Sequence, residues 1–239
     1  MLYPFRAPDV GIALAAFQGT CEVPGEVTLA HHGVLFLEEL SAFPPEHLRV
    51  VQQAVEAHAV QIQGDEEMTL PAQCLLIATM QPCPCGYDGD PIRECICSAE
   101  EITAFQRRIE EFVTDCFAIH IEVPRVDSKN LMSRHPGESS AEVRQRVEAA
   151  RERQRRRYAV TAFTVNDDLR SLDDVQRYCV IDTPGEKLLH AAHQQLHLTP
   201  REMLSLLKVA RTIADLAGAD IIFASHVAEA IQYRPRLRR

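Results

Sequence analysis

Two pairs of cysteines are the residues whose types and spacing point most directly to chemistry. Cys83-Pro-Cys85 and Cys95-Ile-Cys97 are separated by nine residues in the stretch CPCGYDGDPIRECIC. Four thiolates delivered by two closely spaced pairs suit a tetrahedral metal site. Sulfur ligands select a soft or borderline ion, so zinc is expected rather than magnesium or calcium. Gly86, Gly89, Pro91 and the intervening aspartates suit a tight loop that folds back on itself. Two alternatives stand beside the metal: four free thiols on a surface loop, or links within each pair. Disulfide geometry disfavours a link across one intervening residue. No open coordination position and no adjacent general base is evident, so the expected role of the metal is structural. Cys21, Cys74, Cys116 and Cys179 are isolated, and each reads as a small buried apolar residue.

A second constellation lies upstream. Val34-Leu35-Phe36-Leu37 is an apolar run that ends in Glu38-Glu39. It reads as a buried strand presenting two carboxylates at its C-terminal end. On the residues alone these are strand-end acids facing solvent. His31-His32 could suggest a metal pair, but neighbours on an extended segment point in opposite directions, which favours a loop role. Arg144, Arg146, Arg151, Arg153, Arg155, Arg156 and Arg157 crowd residues 141–157. A solvated helix face is the simpler reading; contact with DNA phosphate or with a neighbouring subunit is the sharper one.

These residues need elements to hold them. Pro44-Pro45 opens a helix whose apolar face is Val50, Val51, Ala54 and Val55, with proline well placed in the first turn. Residues 60–62 and 68–70 flank Gly64-Asp65 and predict a β-hairpin with an acidic tip at Asp65, Glu66 and Glu67. Cys74–Ala78 predicts a second buried strand, ending near Gln81. Ser98 with Glu101 three residues on marks a capping box for a helix over 98–113. Phe117–Val123 predicts a third strand. From Ser139, again three residues before a glutamate, the pattern is helical: to about Tyr158, then near 167–179, 184–196, 199–217 and 225–233. Thr199-Pro200 starts a helix and Gly218 stops one. The order is an α/β part followed by an all-helical part.

The charge follows the same division. Residues 1–130 hold 20 acids and 7 bases, net −13, whereas residues 131–239 hold 14 acids and 18 bases, net +4. The sign changes near Arg134-His135-Pro136-Gly137, which places an expected domain boundary there, giving domains 1–130 and 131–239. The acidic part would repel phosphates, and the basic part could meet an anionic partner. With 46% hydrophobic and 25% charged residues, the composition is that of a globular protein. No apolar run reaches the roughly 20 residues that span a bilayer, and the N-terminal stretch, broken by Pro4, Pro8 and Asp9, reads as part of the fold. A cytoplasmic location is the expectation, in which unpaired or metal-bound cysteines are favoured over disulfides.

Several segments together carry a resemblance: PFRAP (4–8), PGEVTLAHHGVLFLEEL (24–40), PCPCGYDGDPIRECIC (82–97), IHIEVPRV (119–126), PGESSAEVRQRVEAARERQ (136–154) and LLKVARTIADLAG (206–218). The chain resembles, over nearly its whole length, the Mg-chelatase-like AAA+ ATPases of the ComM/YifB type, a family that includes branch-migration helicases. The cysteine loop combined with PGESSAEVR is specific to that family. The resemblance implies a partial AAA+ P-loop NTPase core, a parallel sheet with helices, followed by a helical lid. It also implies a hexameric ATPase that encloses ATP and Mg²⁺ between subunits, with homo- or hetero-oligomers of AAA+ relatives as partners. Residues 141–157 are the part that would meet DNA.

That machinery can be checked residue by residue. The phosphate-binding loop needs Gly-Lys-Ser/Thr, and the only lysines, Lys129, Lys187 and Lys208, follow Ser128, Glu186 and Leu207. In the family this loop lies upstream of PFRAP, so the chain is expected to start downstream of it. Glu39 matches the Walker B glutamate that polarises the attacking water. Glu38 replaces the aspartate that helps hold Mg²⁺, and its extra methylene displaces the carboxylate by about 1 Å. Gln81 stands where the family has a polar sensor, usually asparagine. Cys116 occupies the arginine-finger position, a group worth about 10³–10⁵ in turnover in well-studied NTPases. Arg201 matches the second sensor. The expectation is a degenerate or partial copy that does not hydrolyse ATP alone. The alternatives are an ATPase completed by an N-terminal P-loop segment, and a zinc-stabilised assembly or regulatory module. The cysteine loop argues against a subunit acting on a tetrapyrrole.

Overall fold

The structure is a computed structural model that describes residues 3–62, 68–126 and 137–234. The predicted hairpin tip and the Arg134–Gly137 loop lie largely outside the described residues. Packing divides the described residues into two units, the first ending at Phe117 and the second beginning at Ala118. Each has its own core.

In the first unit, β1 (Phe5–Arg6), β2 (Val34–Leu37) and β5 (Leu75–Ala78) form a parallel sheet in the order β1-β2-β5. Its register sets Phe5, Val34 and Leu75 in one row and Phe36 beside Ile77. Strand β1 can pair because Gly33 has no side chain: a Cβ there would collide with the Pro4 carbonyl. The alternation of β2 turns Leu35 and Leu37 inward, both fully buried. Against them pack Val50, Val51 and Ala54 of α3 (Pro45–Ala57), Ile109, Phe112 and Val113 of α4 (Ala99–Cys116), and Val60 and Ile62 of the β3–β4 hairpin (Ala59–Ile62, Met68–Pro71). The Ser98–Glu101 capping box closes the start of α4 in both directions. Two short helices, α1 (Leu14–Gln18) and α2 (Glu26–Leu29), complete this core with Phe17 and Val27.

Only one face of the sheet is covered. Phe5 is 63%, Leu75 61% and Ile77 42% exposed. The sequence reading of Cys74–Ala78 as a buried strand is therefore corrected: the strand starts at Leu75 and every second residue faces outward. Parallel sheets ordinarily bury both faces. The predicted third strand at Phe117–Val123 is absent as well. Phe117 caps α4 in an extended conformation, and residues 118–126 are irregular. The alternation of Ile119, Ile121 and Val123 has the period of a strand, but those side chains are 51%, 70% and 83% exposed. No strand among the described residues takes up their backbone groups, and a strand exists only as half of a pair.

The second unit is helical: α5 (Ser140–Arg157), α6 (Leu172–Tyr178), α7 (Thr183–Leu196), α8 (Pro200–Leu216) and α9 (Ala224–Gln232). Their boundaries lie close to those read from the sequence because the stop and start signals are strong. Ser139–Glu142, Ser171–Asp174 and Thr199–Glu202 all form capping boxes, and Gly218 takes a left-handed φ of 74° after α8. Leu169, Val175, Ala210, Ala214, Ile222 and Val227 form the centre of the core. No helix among the described residues is long and apolar enough to cross a membrane.

Candidate functional site

The four paired cysteines converge. The knuckle that carries them runs from the end of β5 to the start of α4, and short local bonds shape it. Gly86 and Gly89 adopt left-handed φ of 80° and 81°, and the Gly86 N–H donates to the Cys83 carbonyl at 3.0 Å. Asp90 Oδ1 accepts the N–H groups of Ile92 and Arg93, both at 2.8 Å, and the Arg93 guanidinium lies 4.0 Å over the Tyr87 ring. Gln106 of α4 donates to the Pro82 carbonyl at 3.1 Å, anchoring the loop to the helix that follows it. Cys83 is fully buried.

The sulfur geometry tests the metal reading. Sγ–Sγ distances are 3.4 Å for Cys83–Cys85, 3.7 Å for Cys83–Cys95 and 3.5 Å for Cys85–Cys95, and all four sulfurs lie within 4.8 Å of one another. A tetrahedron with metal–sulfur bonds of about 2.3 Å has sulfur–sulfur edges of about 3.8 Å. The residues therefore fit a four-thiolate ion with little adjustment, and none of the four is in a disulfide. Burial works against a Cys85 thiolate, but backbone bonds from Ile96 and Tyr87 and the nearby Cys83 and Cys97 sulfurs outweigh it and lower its pKa to about 6. At Cys95 a backbone bond from Cys97 favours the thiolate; burial and the three neighbouring sulfurs prevail and push it up to about 12. Burial pushes Cys97 up too. A negative charge is favoured at Cys85 and opposed at Cys95 and Cys97, an imbalance that a bound divalent cation would relieve.

The isolated cysteines differ from one another. Cys179 is buried and burial pushes its thiol up to about 11, as expected of a small apolar residue. Cys74 and Cys116 are half-buried against the first core. Cys21 is exposed, which corrects the reading of it as buried.

Glu38 and Glu39 follow β2 directly and both are exposed. Glu39 sits in the left-handed region at φ 55°, ψ 54°, which costs a non-glycine residue on the order of 1–3 kcal/mol. Bonds to the next strand hold it there: Glu39 N–H donates to Thr79 Oγ1 at 3.2 Å and Leu40 N–H to the Thr79 carbonyl at 2.8 Å. Gln81 lies just beyond β5, with its Oε1 3.2 Å from where a Cβ on Gly86 would stand. Glu38 and Glu39 follow β2 and Gln81 lies three residues past β5, so all three stand beyond the carboxyl ends of adjacent parallel strands, where open α/β sheets place ligands, and Gln81 lies against the cysteine knuckle. Cys116 is the last residue of α4. Arg201 is exposed in the first turn of α8, in the other packing unit.

His31 and His32 correct another sequence reading. Their rings do not point apart but lie on one another, tilted by 34°, with centroids 3.7 Å apart, within the turn that the loop reading expected. The segment is not extended: His32 has a φ of 58°, which turns the second ring back onto the first. His31 Nδ1 accepts the Gln73 N–H at 3.1 Å, and burial, with His32 beside it, lowers its pKa.

The arginines of α5 are largely engaged within their own unit. Arg146 pairs with Glu138, Arg153 with Asp220, and Arg155 and Arg156 share Glu152. Arg157 is turned inward to Asp215, whose side chain is fully buried. Asp215 also accepts from Asn166 Nδ2 at 3.0 Å and Gln154 Nε2 at 3.4 Å, and Arg211 lies 3.1 Å away. Arg211 in turn donates to the carbonyls of Ala219 and Asp220. Residue types alone do not reveal this network. Its local signal was the Arg211–Asp215 spacing of one helical turn, which is common on exposed helix faces and does not announce burial.

Comparison with known proteins places this geometry in a family. The family model described as "Magnesium chelatase, subunit ChlI" matches residues 1–131, and that described as "Magnesium chelatase, subunit ChlI C-terminal" matches residues 137–234. The chain is 36% identical over 238 residues to "Uncharacterized protein YifB" of Escherichia coli, covering 97% of this chain and 45% of that protein. It is 36% identical over 240 residues to "Competence protein ComM" of Haemophilus influenzae, covering 98% and 46%, and 29% identical over 235 residues to "Uncharacterized protein Rv2897c" of Mycobacterium tuberculosis. The chain thus spans a little under half the length of these curated relatives. With both family models matched in order and the α/β-then-helical architecture in place, the chain belongs to the Mg-chelatase-like family of the ComM/YifB type.

Proposed function

We propose that this stretch of chain is the zinc-stabilised, structural half of an AAA+ module and does not hydrolyse ATP by itself. The observation that carries the reading is the four-thiol cluster between β5 and α4, whose sulfur–sulfur spacing fits one tetrahedral ion. Zinc bound there fixes the knuckle, and through the Gln106–Pro82 bond the knuckle is tied to α4. Zinc would supply folding energy and no chemistry.

The nucleotide positions support the second half of the proposal. Glu39 is placed at a strand end where a water-polarising carboxylate belongs, and Arg201 keeps a second-sensor arginine. Against them stand three features of this sequence: no Gly-Lys-Ser/Thr, a glutamate at position 38, and Cys116 where the family places its finger arginine. A thiol cannot spread the charge of a transferring phosphoryl group as a guanidinium does. The isolated chain is expected to show no ATP turnover and no saturable binding at millimolar nucleotide. A steady-state phosphate-release assay checks this; turnover that disappears in Glu39→Gln would refute it.

A second reading is an ATPase subunit completed by a P-loop-bearing segment, and the length of the relatives, more than twice that of this chain, favours it. The exposed sheet face of Phe5, Leu75 and Ile77 is the surface such a segment would cover. If this reading holds, fusing the upstream half of a relative to this chain produces turnover that Glu39→Gln abolishes. The remaining use, contact of α5 with DNA, depends on few uncommitted arginines. Any such binding would be weak and would fall steeply with salt.

A further inference from the structure

The cysteine knuckle is only partly enclosed. Cys83 is buried, whereas Cys85, Cys95 and Cys97 are each partly exposed. A small oxidant in solution therefore has access to three of the four. Two of those three also lie close together. Cys85 Sγ and Cys95 Sγ are 3.5 Å apart, so an approach of about 1.5 Å brings them to the length of a disulfide bond.

The chain decides which sulfurs can join. A link within Cys83–Cys85 or within Cys95–Cys97 would close across a single residue, which disulfide geometry disfavours. Cys83–Cys95 is longer, at 3.7 Å, and needs the buried sulfur. Cys85 and Cys95 come from different pairs and are ten residues apart. Gly86 and Gly89 lie between them, where the backbone can best absorb a small shift. The bond would also close the loop between the pairs, so one clamp replaces another. Gln106 holds the Pro82 carbonyl next to buried Cys83, and that anchor to α4 is expected to persist.

We propose that the knuckle is a reversible, peroxide-sensitive switch, in which hydrogen peroxide joins Cys85 to Cys95 and the knuckle gives up its metal. The inference rests on the zinc reading, because metal ligation keeps the sulfurs as thiolates. One of the two thiolates attacks a peroxide oxygen: an S–O bond forms, the O–O bond breaks and hydroxide leaves with its electron pair. The other thiolate attacks that sulfenic sulfur: the S–S bond forms, the S–O bond breaks and a second hydroxide leaves. The two sulfurs have lost two electrons and the peroxide has gained two. Solvent protons turn both hydroxides into water. Cys83 and Cys97 remain as two donors where a tetrahedral ion takes four, and each takes a proton from solvent. A dithiol reverses the change, its own two sulfurs supplying the two electrons as they become a disulfide.

The test uses the full chain with Cys21→Ser, which removes the exposed cysteine outside the cluster. Zinc content is measured first, and the loaded chain is then treated with a small molar excess of hydrogen peroxide beside a chromogenic zinc indicator. One zinc per chain is expected to be released in step with the loss of two alkylatable thiols, and peptide mapping should find the Cys85–Cys95 link. Dithiothreitol with added zinc should restore the starting mass and metal content. Cys95→His in the same background keeps a metal ligand but removes the disulfide partner, so it should bind zinc and retain it under the same peroxide. Zinc that stays bound, sulfurs oxidised singly to sulfinic acids, or a link from Cys85 to any other cysteine would overturn the switch and leave the zinc reading intact. So would a Cys95→His chain that binds zinc and releases it as readily as its parent. A parent chain that carries no zinc and takes up none would overturn both.

Discussion

Replacing Asp215 by alanine is expected to cost the helical part about 3–5 kcal/mol, because it leaves two inward-facing arginines without their shared anion. Arg157 and Arg211 both direct guanidinium groups at this one carboxylate, and the Asp215 and Arg211 side chains have no measurable exposure. The loss is not that of one ion pair. Asn166 Nδ2 and Gln154 Nε2 also lose an acceptor, and a buried donor left unpaired carries its full desolvation penalty. Typical domains have only about 5–15 kcal/mol in total, so the variant should unfold at much lower temperature or denaturant. Asp215→Asn retains the size and some hydrogen bonding but not the charge, and should fall between. By contrast, Arg155→Ala, whose target is a carboxylate on an exposed surface, should change stability by no more than about 1 kcal/mol.

The same network sets a pH dependence. Burial pushes the Asp215 carboxyl upward, but hydrogen bonds from Arg157 and Asn166 and the charge of Arg211 outweigh it and hold the carboxyl below the usual range. A carboxyl depressed in the folded state contributes stability that is fully present above its unfolded pKa of about 3.9. That contribution is lost as pH falls through the folded value. Acid unfolding of the helical part should therefore steepen below the ordinary carboxylate range in the wild type and be shallower in Asp215→Asn, as a denaturant titration at several pH values would read.

Cys83→Ser is expected to have the second large effect. Cys83 is the buried member of the cluster, and its sulfur lies within 3.7 Å of two others. A serine hydroxyl in its place is a poor ligand for a thiophilic ion, and the remaining three sulfurs cannot close a tetrahedron. Metal retention should fall below detection after dialysis. The knuckle, which has little apolar content of its own turned inward, should become sensitive to protease between Tyr87 and Arg93. A strong chelator should reproduce this in the wild type, and readdition of zinc should reverse it. The helical part has a separate core, so its far-ultraviolet signal should survive both treatments. Metal affinity should fall with acid, since each thiolate must lose its proton to bind.

Which features were legible beforehand follows the range of the interactions that make them. Helices α4, α5 and α8 were readable because their capping boxes, Ser98–Glu101, Ser139–Glu142 and Thr199–Glu202, are completed within three residues. The cysteine cluster was readable for the same reason: both pairs and the turn between them lie within fifteen residues. The errors came where a distant partner decides the outcome. Phe117–Val123 has the alternation of a strand, yet no neighbouring strand bonds it among the described residues. Leu75 and Ile77 are apolar enough for a core, yet nothing among the described residues covers that face of the sheet. The close approach of the His31 and His32 rings turned on a single left-handed φ at His32, which no residue type signalled. Arg157 looked like one more basic residue at a helix end, and only the folded position of Asp215, 58 residues on, makes it a core cation.

The nucleotide positions are a different case. Their meaning came from the family pattern, and the fold adds where they stand: Glu38, Glu39 and Gln81 at the ends of β2 and β5, with Glu39 held in a strained conformation by Thr79.

One zinc ion is expected to hold the cysteine knuckle, and native mass spectrometry of chain purified without chelator reads it. A mass increase corresponding to one zinc per chain is expected, lost in Cys83→Ser. A wild-type chain that carries no metal, and takes up none from added zinc, would contradict it.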